Sequence, residues 1–311
     1  MLLSWIDSFW PRPGDRPCLG LALGRRRLEA ARVRWEGGAA QVEWNETVPL
    51  DRELFTAPPS LDLANYLAGR LAPVLAKERD RYLILQVALP DPAMRAEVFE
   101  LAEAPQGAKA LREFLAWRLK SGPEPGLEVT GQFMGKAQGK ELLLGTAFDG
   151  RWIAVIREAL RVHGLQASLI DGAFSRRFNF FHDTFAARGG GGALVALERD
   201  YWSLVVWDEA LRPRLVRAKW WAPGPGEASP AEAAALEVER TIRSYVYSGK
   251  GRGVNTLFLN APGDWMPALS EAFRRRAAGA CVALDPGGAG AKASRARDIR
   301  PFPTAALAVA W

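Results

Sequence analysis

Apolar and polar residues follow a regular order from Cys18 onward. Residues 18–23 form a continuous apolar run that ends at Gly24, which predicts a buried first strand. Residues 28–35 and 40–48 then alternate between apolar and polar side chains, and a glycine pair lies between them. Alternating segments joined by a glycine turn are typical of antiparallel strands. The opening of the chain therefore predicts a three-stranded meander.

Helical spacing follows the meander. In residues 61–76 apolar side chains recur every three or four positions, which predicts an amphipathic helix. Residues 82–89 form a continuous apolar run, as expected of a parallel strand that is buried on both faces. Residues 108–120 again have helical spacing, and the pattern predicts two strands at 127–134 and 141–148.

The first half closes with a helix, a strand and a second helix. The pattern predicts a helix at 152–163 that stops at Gly164, a strand at 165–171 and a helix at 174–187. The run from Gly189 to Gly192 then interrupts the chain. We interpret this run as a hinge between two lobes, because glycine has the least restricted backbone.

The opening pattern returns after the glycine run. It predicts three strands, a helix, a strand, a helix and a strand, in this order: 193–198, 202–207, 215–221, 232–248, 256–260, 266–278 and 281–284. A meander that leads into parallel strands and helices is the arrangement of the ribonuclease-H-like fold. Two such lobes that face each other across a cleft form the architecture of actins, sugar kinases and Hsp70 proteins.

We therefore predict an α/β protein with two ribonuclease-H-like lobes, which is the actin-like ATPase fold. The expected domains are an N-terminal apolar segment at 1–17, a first lobe at 18–187 and a second lobe at 188–311. A small subdomain, at about residues 90–140, is expected to be inserted in the first lobe.

The composition is that of an ordinary globular protein. Hydrophobic residues make up 49% of the 311 residues and charged residues 24%, which is compatible with two domains that each have a core. The net charge of +6 comes from scattered arginines, which favours a solvated basic surface over a nucleic-acid site. Nucleic-acid binding stays open as a third hypothesis, and absence of salt-sensitive DNA binding at low ionic strength would exclude it.

Metal and disulfide sites find no support in the sequence. The chain has two cysteines, Cys18 and Cys281, and two histidines, His163 and His182. Their spacing matches neither a zinc site nor a disulfide framework, so we expect no metal. No apolar run approaches the roughly 20 residues of a membrane helix. A signal peptide is not predicted either, so we expect a cytoplasmic protein.

Tryptophans are unusually frequent, at 12 residues. Trp5 and Trp10 lie in an apolar N-terminal segment that suits a membrane interface or a docking groove, or else folds back onto its own domain. Trp220 and Trp221 precede a loop rich in proline and glycine, and we expect them to be exposed and to contact a partner. Core positions are predicted for six others: Trp35, Trp44, Trp117, Trp152, Trp202 and Trp207.

Several motifs, taken in order, resemble those of a known family. They are Leu19-Gly20-Leu21-Ala22-Leu23-Gly24, Leu111-Arg112-Glu113-Phe114-Leu115-Ala116-Trp117, Ile242-Arg243-Ser244-Tyr245, Leu257-Phe258-Leu259-Asn260, Leu284-Asp285-Pro286 and Ala305-Ala306-Leu307-Ala308. In this order they resemble the PilM family of actin-like type IV pilus assembly proteins, with its relatives in type II secretion and mannose-sensitive pilus assembly. The resemblance covers roughly residues 18–311.

The resemblance implies three nucleotide-binding loops in an active actin-like ATPase. Two β-hairpins hold phosphate groups with backbone N–H groups, and an aspartate at each hairpin positions Mg²⁺ and the attacking water. The third loop is a glycine pair after a strand of the second lobe, where the adenine and ribose lie close against the backbone.

This chain departs from the family pattern in all three loops. In the first, Leu21-Ala22-Leu23-Gly24-Arg25, Ala22 stands where the family has aspartate. In the second, Ala196 replaces the aspartate and Glu198 replaces a glycine. In the third, Ala261-Pro262 replaces the glycine pair, and proline also lacks an N–H group.

These losses predict that the chain has no cofactor and hydrolyses no ATP. An alanine methyl group cannot bind a divalent cation, and Glu198 would bring negative charge close to the phosphates. Arg25 to Arg27 could still bind an anion, so metal-free nucleotide binding stays open.

Other candidate sites are weaker. The run from Gly189 to Gly192 precedes a strand and is followed by no Gly-Lys-Ser/Thr, so we do not interpret it as a phosphate loop. Asp149, Asp171, His163 and His182 could in principle form an acid–base site, but nothing in their spacing requires one. We predict capping or surface roles for them.

The leading hypothesis is a non-catalytic cytoplasmic scaffold of a type IV pilus or type II secretion-like assembly complex, peripheral to the inner membrane. The resemblance implies other assembly components as partners, above all a PilN-like protein with one membrane span. The cytoplasmic N-terminal segment of that protein would bind a groove in the first lobe. The alternative is an active actin-like or sugar-kinase-like ATPase with divergent phosphate loops.

Overall fold

The computed structural model describes residues 17–284, apart from 37–38, 61, 79–83, 120–125, 222–228, 249–252 and 277–278. The predicted apolar segment with Trp5 and Trp10 lies outside the described residues, as do the loop after Trp221 and residues 285–311. In the part of the chain that the structure describes, no helix is long and apolar enough to cross a membrane.

The strands agree with most of the predicted ones to within a few residues. They are β1 Cys18–Leu23, β2 Arg27–Glu36, β3 Ala39–Pro49, β4 Ile84–Leu89, β5 Met94–Leu101, β6 Leu127–Ala137, β7 Lys140–Asp149, β8 Leu169–Gly172, β9 Gly192–Leu197, β10 Tyr201–Trp207, β11 Pro213–Trp220, β12 Thr256–Asn260 and β13 Ala280–Ala283.

The helices follow the predicted order. They are α1 Asp62–Leu75, α2 Gly107–Arg118, α3 Gly150–Arg161, α4 Ala173–Phe180, α5 His182–Arg188, α6 Pro230–Tyr247 and α7 Met266–Arg276, with a short 3₁₀ helix at Asp91–Ala93.

The strands form three sheets, two of which share one topology. The first sheet has the order β3-β2-β1-β4-β8, and the second has β11-β10-β9-β12-β13. In both, the central strand pairs antiparallel with the next strand of the meander and parallel with the strand that follows a helix. This topology confirms the predicted duplication and the two-lobed α/β fold. The remaining sheet, β5-β7-β6, is formed between β4 and β8 in the chain, and we term it the inserted sheet.

The chain divides into two compact units. The first unit contains the described residues up to Pro90 together with Arg151–Phe181, and the second contains Asp91–Gly150 and His182–Leu284. The inserted sheet therefore belongs to the second unit, although β4 and most of α3, which flank it in sequence, belong to the first. The described chain last passes from the first unit to the second between Phe181 and His182. The glycine run that we interpreted as a hinge therefore lies within the second unit.

Leucines on one face of the first sheet pack against α1 and α3. Leu21 and Leu28 from the sheet, Leu67 from α1, and Ile156 and Leu160 from α3 line one apolar pocket. All five side chains are almost completely buried. Removing each of these side chains from water contributes roughly 1.5–3 kcal/mol, so this layer is a main source of stability in the first unit.

Two neighbouring strands of the second sheet are buried on both faces. All residues of β9 and β10 are buried, as expected from their continuous apolar runs. On one face the ring of Phe185 stacks on Trp207 at 4.5 Å between centroids, and Phe258 contacts both rings. Gly192 makes room for this cluster, because a Cβ atom there would lie 2.7 Å from the Trp207 ring.

Burial of the tryptophans agrees only partly with the prediction. Of the six predicted in the core, those that are buried are Trp152, Trp202 and Trp207. Trp44 is half-buried, and the side chain of Trp35 lies outside the described residues. Trp117 is 69% exposed, so its predicted core position is wrong. Only one stripe of α2 can face the inserted sheet, and Trp117 lies outside that stripe.

Strand β5 has no counterpart among the predicted elements. Its sequence is rich in methionine, arginine, alanine and glutamate, which favour helices, so its local propensity opposes a strand. Antiparallel pairing with β7 along its whole length overrides that propensity. Two further differences are smaller: the strand predicted at 165–171 is limited to β8, and the helix predicted at 174–187 is interrupted at Phe181.

Gly145 lets α2 approach the inserted sheet, because a Cβ atom there would lie 2.5 Å from Leu115 Cδ2 and 2.9 Å from Phe99 Cε2. We predict that Gly145→Ala lowers the free energy of unfolding by about 1–3 kcal/mol through overpacking. The matched control is Gly69→Ala in α1, where nothing lies within 4 Å of the added atom. Alanine should stabilise that helix by about 0.5–1 kcal/mol. Urea denaturation measures both, and a Gly145→Ala protein as stable as the wild type would contradict the packing.

Candidate nucleotide site

The first hairpin joins β1 to β2 in the first unit. Ala22 is 6% exposed and belongs to a cluster of small buried side chains on one face of the sheet. The Gly24 N–H group donates to the Arg27 carbonyl at 2.8 Å, which closes a turn formed by Arg25 and Arg26. A turn this short offers few free N–H groups to an anion.

Residues 50–55, which we term the strap, cover this turn. The Leu50 N–H group donates to the Arg26 carbonyl at 2.8 Å. The Arg26 guanidinium donates from Nε to the Glu53 carboxylate at 2.8 Å. A carboxylate from the chain itself therefore sits where Arg26 could have bound an external anion.

Phe55 holds the strap in a strained conformation. Its φ of 62° is in the left-handed region, which a bulky side chain rarely adopts. Its ring lies 4.2 Å from the Trp152 ring, between centroids. The adjacent Leu54 is fully buried and donates its N–H group to the Arg25 carbonyl at 2.8 Å. Such strain persists only where surrounding contacts fix it, so the strap is a fixed part of the first unit.

The second hairpin joins β9 to β10 and repeats the geometry of the first. Ala196 is 1% exposed and lies in β9, the central strand of the second sheet. The Glu198 N–H group donates to the Tyr201 carbonyl at 2.8 Å, which closes a turn formed by Arg199 and Asp200. Glu198 is 6% exposed and interacts with neighbouring groups, so its carboxylate is enclosed within the unit.

The third loop lies next to the second hairpin, because β12 runs parallel to β9 with Asn260 beside Ala196. Ala261 packs against the core of the second unit. The Pro262 carbonyl accepts hydrogen bonds from the N–H groups of Trp265 and Met266 at 2.8 and 3.1 Å, and these bonds begin α7. The backbone of this loop is therefore used to start a helix.

Arg199 connects the second hairpin with the third loop. Its Nη2 atom lies 3.5 Å from Asp264 Oδ2, and its guanidinium carbon lies 5.8 Å from the centroid of the Trp265 ring. Both charged side chains are more than half exposed, so the ion pair is weak. The ion pair nevertheless orients the Arg199 guanidinium toward the carboxylate of Asp264.

These loops do not fit a Mg²⁺–nucleotide complex. In the ranges that the structure describes, no group of three or more His, Cys, Asp or Glu residues could hold a metal ion. Ala22 and Ala196 present methyl groups where the family resemblance implies carboxylates, and Mg²⁺ requires oxygen ligands. One arginine of each hairpin, Arg26 in the first and Arg199 in the second, faces a carboxylate of the chain itself.

Comparison with known proteins identifies the fold. No protein-family model matches the chain, and no curated protein does. Among solved structures, the chain is similar to one in a PilM–PilN type IV pilus biogenesis complex, with a TM-score of 0.68 and 16% sequence identity over 96% of this chain and 98% of that one. It is also similar to a Bacteroides thetaiotaomicron protein with an actin-like ATPase fold and unknown function, with a TM-score of 0.55 and 9% identity over 88% and 92% of the two chains.

The chain has the actin-like ATPase fold. The predicted fold is thereby confirmed, and the resemblance to PilM proteins holds at the level of the fold. At sequence identities of 16% and 9%, these comparisons establish the fold alone. Whether the loops can bind a nucleotide has to be judged from this chain's own residues.

Asp171 lies at the carboxyl end of β8 in this actin-like fold, and its contacts are structural. Its carboxylate accepts hydrogen bonds from the Gly172 N–H group at 2.7 Å and the Ser175 hydroxyl at 2.6 Å. Oδ2 also lies 3.9 Å from Arg176 Nε, and the Arg176 side chain is almost fully buried. Burial lowers the pKa of the Arg176 guanidinium, and the charge of Asp171 opposes this. The N-cap residue of α4 is Gly172 and no side chain caps this helix, so Asp171 braces the start of α4 without the capping role that was predicted.

The other acid–base candidates have separate partners. His163 Nε2 lies 2.9 Å from the Ala68 carbonyl oxygen in the first unit. His182 Nδ1 lies 3.3 Å from the exposed Asp183 carboxylate in the second unit. Asp149 ends β7 of the inserted sheet and pairs there with Leu127. None of these contacts aligns a base with a nucleophile.

Trp220 and Trp221 are not exposed as the sequence predicted. Trp220 packs edge-to-face on Tyr201 with 6.0 Å between ring centroids. Trp221 donates its backbone N–H group to the Asp200 carbonyl at 2.7 Å, and its side chain packs against the core of the second unit. Both side chains are half-buried, and partner binding by them stays a prediction.

Sequence reasoning missed Glu53, Phe55 and Asp264, the side chains that occupy or brace the loops. Phe55 has no local signal, because aromatic residues rarely adopt positive φ. The pairing of Arg26 with Glu53 joins residues 27 positions apart, so only the folded chain shows it.

We predict that Asp171→Asn lowers the free energy of unfolding by about 1–3 kcal/mol, because it removes a charged acceptor beside the buried Arg176. The matched control is Asp183→Asn, which removes a carboxylate that is 96% exposed. Its effect should stay within about 0.5 kcal/mol. Urea denaturation of both variants is the measurement, and equal effects would argue against a structural role for Asp171.

Proposed function

We propose that this chain is a non-catalytic scaffold of a type IV pilus or type II secretion-like assembly complex. The observation that carries the proposal is the likeness to a chain of the PilM–PilN complex, which extends over 96% of this chain and 98% of that one. Likeness over nearly the whole of both chains supports a shared role better than likeness of a single lobe. A fold does not determine a function by itself, so binding of the partner has to be tested directly.

The nucleotide loops support the non-catalytic part of the proposal. Phosphoryl transfer depends on positioned Mg²⁺ and on backbone donors aimed at the phosphates. In this chain the alanines at positions 22 and 196 are buried apolar side chains, and Pro262 uses its carbonyl to begin α7. The strap covers the first hairpin with its own hydrogen bonds. These features support the proposal that the site does not meet either requirement.

The partner that we propose is a membrane protein similar to PilN. PilN is named as the second component of the biogenesis complex in which the similar chain occurs. We further propose that the cytoplasmic N-terminal segment of this partner is the part that binds, as the family resemblance implies, and that the chain is thereby held at the cytoplasmic face of the inner membrane. Capture of a short segment relies on apolar pockets and backbone hydrogen bonds, which need no nucleotide.

The test is direct binding to a PilN-like protein with one membrane span, which is to be sought among the genes next to that of this chain. A labelled peptide of its cytoplasmic N-terminal segment is titrated with the full chain, and fluorescence anisotropy reports the complex. We expect saturable binding with a Kd of about 10 μM or tighter, unchanged by adding Mg²⁺ and ATP.

A peptide of the same composition in scrambled order is the control for nonspecific attraction to a chain of charge +6. Equal binding of both peptides, or binding that appears only with Mg²⁺ and ATP, would overturn the proposal.

A further inference from the structure

The inserted sheet has no covalent link of its own to the second sheet. In sequence it lies between β4 and α3, whose residues up to Pro90 and from Arg151 belong to the first unit. Its contacts nevertheless place it in the second unit. Its attachment to the second sheet therefore depends on non-covalent contacts alone.

Those contacts concentrate at β11 and the turn before it. Strand β11 packs against β5, and the short helix at Asp91–Ala93 packs against β10 and β11. The turn between β10 and β11 is rigid: Asp208 Oδ1 accepts from the N–H groups of Ala210 and Arg212 at 3.0 and 3.1 Å. Leu211 completes the turn with a φ of 57°, which its surroundings must hold in place.

Arg212 of this turn and Arg214 at the start of β11 extend onto the inserted sheet. Arg212 pairs with Asp208 at 2.8 Å and donates to the carbonyl of Lys136 in β6. Arg214 donates to Glu100 in β5 and lies 3.9 Å from Asp208. The two edge strands of the inserted sheet are therefore each held by one arginine.

Arg214 also reaches a helix on the second sheet. It forms a hydrogen bond with Tyr245 of α6, and burial raises the pKa of this tyrosine while Arg214 opposes the rise. The Arg214 side chain is only 9% exposed, so its charge is largely removed from water. A buried guanidinium that loses one partner leaves an unsatisfied charge, which makes such a contact costly to break.

We infer that Arg212 and Arg214 form a clasp that makes the inserted sheet one cooperative unit with the second sheet, and that Arg214 is its principal positioning residue. A partner that binds the inserted sheet would consequently stabilise the second sheet as well, because the two open together. The inference does not rest on the proposed function, since it holds whatever the partner is.

Hydrogen exchange of the full chain tests the clasp. In the wild type, amides of β5, β6 and β7 should share one opening equilibrium with those of β9, β10 and β12. In Arg214→Met, exchange in β5–β7 should become at least about tenfold faster while β9, β10 and β12 keep their protection. Arg214→Lys should lie between the two, because lysine lacks the planar fork that reaches several acceptors.

The matched control is Arg243→Met in α6, which breaks a 2.7 Å ion pair between the exposed Arg243 and the half-buried Glu239 in the same unit. It should leave both groups of amides unchanged. If Arg214→Met does not fold, Glu100→Gln should give the same selective pattern more weakly. The inference is overturned if the clasp variants accelerate both sheets equally, if they act no more on β5–β7 than the control, or if the wild-type inserted sheet already opens by itself.

Discussion

Parallel pairing of the central strands is the constraint on which the candidate site depends. Strand β1 runs parallel to β4, and β9 runs parallel to β12. The loops that follow these strands therefore lie at the carboxyl edge of their sheet. The register of β9 and β12 sets the position of the third loop: Asn260 lies beside Ala196, which places this loop next to the second hairpin. An actin-like ATPase uses this edge for phosphates and Mg²⁺. In this chain the same edges are present, and other groups of the chain occupy them.

Occupation by internal groups distinguishes this chain from one that has merely lost a few ligands. In the first unit the strap donates backbone hydrogen bonds to the hairpin, and the Glu53 carboxylate accepts a hydrogen bond from the Arg26 guanidinium. In the second unit Arg199 faces Asp264 and the ring of Trp265. Each ion pair alone is worth little in water. Combined with the buried alanines, however, they support the proposal that these loops hold no Mg²⁺–nucleotide complex.

The sequence predicts those parts of the fold that depend on local pattern. Continuous apolar runs identify β1, β9 and β12 because these strands are buried on both faces. Local pattern fails where distant contacts decide. Strand β5 has helix-favouring residues and becomes a strand only through β7. Trp117 shares an apolar helix with its neighbours but lies on the exposed side.

The same distinction applies to the candidate site. Ala22, Ala196 and Pro262 could be recognised in the sequence because the family pattern marks their positions. The strap, the Arg199 contacts and the clasp could not, because they join residues far apart in the chain. The pairing of Arg214 with Glu100 spans 114 positions. It joins the inserted sheet to the second unit, to which the backbone contacts of this sheet assign it, rather than to the lobe that surrounds it in sequence.

The central claim is that an actin-like fold persists here without its nucleotide chemistry, and calorimetric titration of the full chain with ATP, with and without Mg²⁺, tests it most directly. The account predicts binding weaker than about 1 mM, no effect of Mg²⁺ and no release of phosphate. Binding in the micromolar range that requires Mg²⁺ would contradict it, and would favour an active ATPase with divergent loops.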